Sequence, residues 1–130
     1  PDTLLGILNG VKVSFFHYPY PLLESARETG RVRIASVIDV ACMKIDAISS
    51  RGTKRDFIDV YCVLQSKAIG LGELLSLFQK KYAALNYNLM HIKKSLTYFE
   101  DAEEEPLPKM LVPLEWDEIK KTFWEEVAKL

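Results

Sequence analysis

The spacing of apolar residues changes once along this chain, near Ser36, and that change limits the folds open to it. Before Ser36, apolar residues alternate with polar ones as in β-strands; after it, they recur every three or four residues, as in amphipathic helices. Strands first and helices afterwards are typical of α+β proteins. We therefore predict a β-hairpin or small sheet in residues 1–35 and a helical domain of about five helices in residues 36–130, together forming one compact unit.

The predicted hairpin is centred on Asn9-Gly10, the dipeptide that best tolerates the positive φ angles of a two-residue type I′ turn. Residues 3–8 and 11–16 flank it as strands, and residues 32–34 predict a further short strand. The second strand is expected to bury three side chains on one face: Val11, Val13 and Phe15. Because two or three strands are marginally stable alone, we expect them to pack on the helices or on strands outside this chain.

Two predicted helices begin with capping-box patterns, Ser36 with Asp39 and Thr53 with Asp56. Three more are predicted by spacing over residues 71–82, 88–99 and 115–130. The expected buried stripes are Val37, Val40, Ala41, Ile45 and Ile48 in the first helix, Phe57, Val60, Tyr61 and Leu64 in the second, and Trp116, Ile119, Phe123, Trp124 and Val127 in the last. The acidic, proline-containing segment DAEEEPLPKMLVPL before the last helix is expected to be an exposed, extended connection.

Composition excludes several classes of protein. With 130 residues, 48% hydrophobic and 27% charged, the chain can bury a core and is neither disordered nor collagen-like. No apolar run approaches the roughly 20 residues of a membrane helix, so no membrane partner is expected. Cys42 and Cys62 are predicted to be buried thiols, and no secretory signal is visible, which favours a cytoplasmic location.

Charge is divided unevenly between the two halves of the chain. Residues 1–67 contain nine Lys and Arg against seven Asp and Glu, and residues 68–130 contain eight against eleven. The first half is therefore the better place to look for an anionic ligand. The excess is too small for a broad surface that binds duplex nucleic acid.

Polar residues are densest in the segment MKIDAISSRGTKRDFIDVYCVL, residues 43–64. On a helix, Lys44 and Arg51 share a face, and Arg55 lies next to Asp59. The amides of residues 53–56, at the start of the second helix, favour binding of a phosphate there. A purely structural role is the alternative, in which Asp56 only caps its helix and Asp59 only pairs with Arg55 on the surface.

The string AISSRGTKRDFIDVY, with Lys44 before it and GILNGVKVSFFHYPYPLLE further upstream, has the spacing K-x(6)-R-x(3)-R-D-x-x-D. It resembles the AbiEii/AbiGii-type nucleotidyltransferase toxins, the toxin halves of bacterial type IV toxin–antitoxin systems. The similarity covers nearly the whole chain, including FEDAEEEPLPKML.

The resemblance implies a polymerase-β-type nucleotidyltransferase, with the strands as a remnant of its palm. Such an enzyme transfers a nucleotide from an NTP to an RNA, here a tRNA end, with Mg²⁺ as cofactor and an antitoxin as partner. By this resemblance Lys44 neutralises triphosphate oxygens, and Asp56 is a base or an orienting carboxylate for the attacking hydroxyl. Arg51 and Arg55 assist with phosphate or position Asp56, and Asp59 holds Arg55.

The chain departs from the family pattern in one respect. It has no Gly-Ser turn followed by paired strand carboxylates, so no metal ligands are evident, apart from Asp2 as a candidate acid of the palm. Since the chain also begins at Pro1 without a methionine, we expect the C-terminal portion of a longer toxin, inactive by itself.

Two other hypotheses remain open. One is a non-catalytic module that binds an antitoxin or an RNA, with a set of lysines on the helices as RNA contacts: Lys80, Lys81, Lys93 and Lys94. The other is a structural remnant that dimerises through its sheet edge.

Overall fold

The structure, a computed structural model, describes residues 2–130 and has the predicted α+β order, with four short strands before the helices. The strands are β1 (Thr3–Leu8), β2 (Val11–Phe16), β3 (Arg27–Thr29) and β4 (Val32–Ile34). The helices are α1 (Val37–Arg51), α2 (Lys54–Lys67), α3 (Leu71–Lys81), α4 (Leu89–Ser95), α5 (Glu100–Glu103) and α6 (Trp116–Ala128).

β1 and β2 form the predicted hairpin, and Asn9 and Gly10 in its turn have φ angles of 49° and 78°. The expected burial of its second strand is wrong. Val11 and Phe15 are 62% and 64% exposed, and Val13 is only half-buried. Residues 18–23, which follow the hairpin, contribute the side chains that pack on the helices, and the hairpin is left at the surface.

The strand predicted at residues 32–34 is present as β4, but it pairs with β3 and not with the first hairpin. Gly30, with a φ of 61°, lies in the turn that joins the two. The N-terminal part therefore contains two separate two-stranded sheets. A two-residue turn pairs each strand with its sequence neighbour, which explains the local pairing.

The core lies among the helices. Phe57 of α2 is its aromatic centre, with ring centroids 4.9 Å from Phe99 and 5.2 Å from Phe123 of α6. The buried residues of the core cluster also include Ala41, Cys42, Ile45, Ile48, Val60, Leu64, Leu71, Leu74, Phe78, Tyr82, Ile92, Leu96, Trp116 and Ile119.

Three residues of the predicted stripes and one of the predicted buried thiols are exposed in the structure. Val37 and Val40 are exposed on α1, where Ile38 and Cys42 are buried in their place. Trp124 of α6 is 52% exposed, and Cys62 of α2 is exposed although a buried thiol was predicted. The other residues of the first stripe, Ala41, Ile45 and Ile48, are buried as predicted.

The predicted extended connection before α6 is partly helical. Its first residues form the single turn α5, where Ala102 is completely buried against the core. Glu103 and Glu105 in this segment bond to α6 and α2, so its acidic run is not simply exposed.

Asp39 and Lys81 form a buried ion pair, 2.7 Å apart, that joins α1 to α3. Lys81 also donates to the Pro21 carbonyl, 2.7 Å away, and the Asp39 carboxylate accepts from the amides of Leu23 and Glu24. Lys81 is 2% exposed, so the prediction that it contacts RNA is wrong.

The predicted capping box of α1 is therefore only half present. Ser36 Oγ accepts from the Asp39 amide, but the Asp39 carboxylate binds Lys81, residues 23 and 24 and the Ser36 hydroxyl. The Asp39 carboxylate is buried, and hydrogen bonds to a charged donor and to several other donors stabilise it more than a single bond to the Ser36 amide would.

Within residues 2–130, no single helix is long and apolar enough to cross a membrane; α2 and α3, bent by 110°, meet that test only as a pair.

Candidate functional site

The junction of α1 and α2 brings the predicted site residues together. Gly52, between the helices, is extended, with φ −70° and ψ 113°. A Cβ at this position would lie 2.8 Å from the Phe57 ring, so only glycine allows the chain to turn this closely against the core. Because the turn is tight, the side chain of Lys44 on α1 faces the first turns of α2.

Lys44 lies between two carboxylates of α2. Its Nζ is 2.9 Å from Asp56 Oδ1 and 3.0 Å from Asp59 Oδ2. Burial by itself lowers the pKa of the Lys44 ammonium, but its hydrogen bonds to the two carboxylates outweigh burial and leave the pKa above its ordinary value. The ammonium stays charged, and its side chain is 30% exposed. Lys44 and Asp56, which the family resemblance assigns to one site, are therefore in direct contact.

Asp56 is the capping residue that the sequence predicts, and it also contacts Lys44. Its Oδ2 accepts from the Thr53 amide at 3.2 Å and from the Thr53 hydroxyl at 2.8 Å, while Oδ1 accepts from Lys44. The residue is 8% exposed. A carboxylate that accepts hydrogen bonds from three donors is well suited to orient them.

The expected pair of Arg55 and Asp59 does not form in the described chain, because Asp59 binds Lys44 instead. Arg55 is exposed and lines a cavity of about 310 Å³ with Thr53, Glu105 and Pro106. Helix spacing placed only Arg55 next to Asp59, whereas the docking of α1 on α2 brings the Lys44 ammonium within 3.0 Å of Asp59.

Two of the amides predicted to bind phosphate at the start of α2, those of Thr53 and Lys54, already donate to carboxylates of the chain. Asp56 accepts from the Thr53 amide, and Glu105 Oε2 accepts from the Lys54 amide at 2.8 Å. The Lys54 ammonium donates to the Glu103 and Glu105 carbonyls. Glu105 was missed because it lies 51 residues away, and the only signal in the sequence was the acidic run that contains it.

Arg51 lies in a different environment from Lys44. It lines a cleft of about 300 Å³ between the C-terminal end of α1 and α4, together with His91 and Lys94. Two helical turns, roughly 10 Å of helix axis, separate it from Lys44. The site residues therefore divide into a junction group (Lys44, Asp56 and Asp59) and cations on either side of it.

Mg²⁺ needs several oxygen ligands in octahedral geometry. Among the residues that the structure describes, no group of three or more His, Cys, Asp or Glu side chains could hold a metal ion. Asp2 is exposed and precedes β1, and both carboxylates of the junction bind the Lys44 ammonium. The donor set present thus does not fit Mg²⁺.

The sequence profile described as "Nucleotidyl transferase AbiEii toxin, Type IV TA system" matches residues 12–129. The chain therefore belongs to the AbiEii family of type IV toxin–antitoxin proteins.

One relative is similar along almost the entire chain. An uncharacterized protein of Aquifex aeolicus (strain VF5) is 41% identical over 130 residues, which cover 98% of this chain and 61% of the relative. The chain thus spans about three fifths of the length of the curated relative that it matches. A comparison with solved structures finds no significant match.

Proposed function

We propose that this chain supplies the triphosphate-binding part of a nucleotidyltransferase, with Lys44 as the phosphate ligand. The observation that carries the proposal is the position of the Lys44 ammonium, 2.9 Å from Asp56 and 3.0 Å from Asp59. An ammonium has three donors, and the two carboxylates engage two of them. The third can donate to a phosphate oxygen, and the partial exposure of the side chain allows a ligand to reach it.

In the reaction proposed, an RNA hydroxyl oxygen forms a bond to the α-phosphorus of an NTP. The bond from that phosphorus to the bridging oxygen breaks, pyrophosphate leaves with the electron pair, and the hydroxyl proton passes to water. Catalysis of this kind depends on positive charge placed at the phosphate oxygens and on positioning. Lys44 supplies that charge, Asp56 and Asp59 hold it in place, and exposed Arg55 adds a second cation nearby. Asp56 thereby acts as an orienting carboxylate.

The wider assignments extend the same proposal. The acceptor is an RNA, with a tRNA end as the specific candidate, and the protein acts in the cytoplasm with an antitoxin partner, in abortive infection. Membership of this family of type IV toxin–antitoxin proteins supports a nucleotide as substrate and an antitoxin as partner. Mg²⁺, expected for the intact enzyme, has no part in the chemistry assigned to these residues. We expect this chain alone to bind NTP without transferring it.

Calorimetric titration with GTP and Mg²⁺, followed by the other three NTPs, tests the proposal. We expect the chain to bind, and Lys44→Ala to weaken binding at least about ten-fold, because a hydrogen bond to a charged group contributes about 1.5–3 kcal/mol. Lys44→Arg should retain part of the affinity. The matched control is Lys93→Ala, which removes one positive charge outside the junction.

Equal affinity of Lys44→Ala and Lys93→Ala would overturn the role of Lys44, provided that circular dichroism shows both variants folded. A chain that binds none of the four NTPs would overturn the nucleotide-binding proposal as a whole.

The alternative, a non-catalytic module that docks an antitoxin, is favoured by a separate observation. A groove of about 640 Å³ is lined by apolar side chains of α2 and of the segment before α6, among them Tyr61, Met110 and Leu114. Leu111 in the same groove is fully exposed. Exposed apolar side chains beside a groove are typical of protein-binding surfaces. Failure of NTP binding, with tight binding of a cognate antitoxin, would favour this function.

A further inference from the structure

The cleft between α1 and α4 combines features that the proposed function does not use. It has a volume of about 300 Å³ and lies where the C-terminal end of α1 meets α4 and the segment that follows. The residues that give it chemical character are Ser49, Arg51, His91, Lys94, Tyr98 and Asp101.

The cleft presents one cation from each wall. Arg51 belongs to α1 and Lys94 to α4, and both side chains are exposed. Neither forms an ion pair within residues 2–130. Among the described residues Asp101 is the one carboxylate that lines the cleft, and the Glu100 carboxylate beside it is bound to the Tyr98 hydroxyl. Two cations facing a common cleft favour an anion that can contact both.

An aromatic ring lies beside these cations. Tyr98 is 53% exposed, and its hydroxyl donates to Glu100 Oε2 at 2.8 Å, which limits the motion of the ring. Exposed aromatic rings next to Lys and Arg are used to stack unpaired bases while the cations follow the backbone. Duplex bases are already stacked on one another and are not available to such a ring.

The walls of the cleft are fixed to each other before any ligand binds. His91 Nε2 lies 2.8 Å from the Ser49 carbonyl and donates to it, which ties α4 to the end of α1. Ile92 and Ile48 are buried beneath. A cleft formed in advance loses less entropy when a ligand binds.

We propose that this cleft binds a single-stranded RNA, with phosphates at Arg51 and Lys94 and an unpaired base on Tyr98. The inference rests on the proposed function in one respect: the bound RNA is taken to be the nucleotide acceptor, and its end is taken to reach Lys44 at the junction of α1 and α2. Arg51 and Lys44 are on one helix, roughly 10 Å apart along its axis, a distance that a short strand can span. Arg51 then binds the acceptor and not the triphosphate.

The test is fluorescence anisotropy of a labelled single-stranded oligoribonucleotide about eight nucleotides long, titrated with the chain at several salt concentrations. Each phosphate contact in a single strand contributes a slope of about −0.7 to log K against log salt. We expect Arg51→Ala/Lys94→Ala to weaken binding at least about ten-fold and to reduce the slope by about 1.4. Tyr98→Leu should weaken binding and leave the slope unchanged.

The matched control is Lys12→Ala/Arg31→Ala, which removes one Lys and one Arg that are exposed and lie outside the cleft. Control and cleft variants of equal affinity would overturn the proposal, because binding would then follow net charge alone. Equal affinity for a duplex of the same length would also overturn it. The same titration is repeated with a single-stranded DNA of the same sequence. Tighter binding of the DNA than of the RNA would contradict the assignment to RNA.

Calorimetry with NTP separates this inference from the proposed function. Arg51→Ala/Lys94→Ala should bind NTP as the unaltered chain does. If the chain binds RNA through the cleft but binds no NTP, the nucleotide-binding proposal fails and the cleft stands. If it binds NTP through Lys44 and the cleft variants bind RNA normally, the cleft assignment fails alone.

Discussion

A single carboxylate, Asp39, joins three segments that are distant in the sequence. It binds Lys81 of α3 at 2.7 Å and the amides of Leu23 and Glu24 at 2.9 and 3.2 Å, and it is completely buried. Burial alone raises the pKa of Asp39, but its hydrogen bonds outweigh burial and hold the pKa below the ordinary value of 3.8.

Asp39→Asn should lower the free energy of unfolding by about 3–5 kcal/mol, because it leaves the Lys81 ammonium buried without a counter-charge. Unfolding in urea, followed by circular dichroism, measures the change. The double variant Asp39→Asn/Lys81→Met should recover part of the loss, since it leaves no buried charge. An Asp39→Asn variant that unfolds at the same urea concentration as the unaltered chain would contradict this account.

Among the elements, the β1–β2 hairpin stands apart from the packed helices. Seven of its large apolar residues are more than half exposed: Leu4, Leu5, Ile7, Leu8, Val11, Phe15 and Phe16. An element with few buried contacts opens locally at low free energy, without unfolding of the core. The division of the chain into a sheet of residues 1–35 and a helical domain of residues 36–130 stays a prediction. Whether the hairpin unfolds separately from the helices tests part of it.

Gly10→Ala should destabilise the hairpin by about 1 kcal/mol, because Gly10 has a φ of 78° and an L-residue is strained there. A Cβ at Gly10 would meet no atom within 4 Å, so the effect comes from the backbone alone. Amide hydrogen exchange in β1 and β2 should become about five-fold faster, while the melting temperature of the helices stays constant.

The matched control is Gly30→Ala, at a φ of 61° with the same open surroundings, which should affect only β3 and β4. If Gly10→Ala lowers the free energy of global unfolding by the whole of the about 1 kcal/mol expected for the hairpin, the hairpin unfolds together with the core and the prediction is wrong.

For the whole molecule, the shifted pKa values define a pH range of full stability. The pKa of Asp39 is lowered, so the folded state stays deprotonated where the unfolded chain takes up a proton, and stability is lost as pH falls below about 4. Burial raises the pKa of the Tyr18 and Tyr82 phenols above 10.0, so the unfolded chain releases protons first and stability is lost as pH rises past about 10.

Burial also raises the pKa of the Cys42 thiol, from 9.0 to about 11, so the unfolded thiol ionises first and the loss of stability begins there. We expect the free energy of unfolding to be flat between about pH 5 and pH 8 and to fall on both sides. Urea unfolding across this range measures it. Asp39→Asn should make the acid limb shallower, and Tyr18→Phe should make the alkaline limb shallower. Acid limbs of equal slope in Asp39→Asn and the unaltered chain would contradict the role of Asp39.

The sequence by itself determined the features that depend on neighbouring residues. The change of apolar period at Ser36 predicted the order of strands and helices, Asn9-Gly10 predicted the first hairpin, and Thr53 with Asp56 predicted the cap of α2, all of which are present. These features form among residues a few positions apart, so the local sequence contains both partners.

Only the tertiary structure decided which side chains meet across elements. Asp59 binds Lys44 and not Arg55, and Lys81 is buried in an ion pair with Asp39. Glu105 accepts a hydrogen bond from the first amide of α2, 51 residues away in the sequence. Helical spacing shows which residues share a face, but the rotation of each helix against its neighbours decides which face is covered and which charges come within hydrogen-bond distance. The contacts that define the junction and the buried ion pair therefore became visible only when the helices were docked.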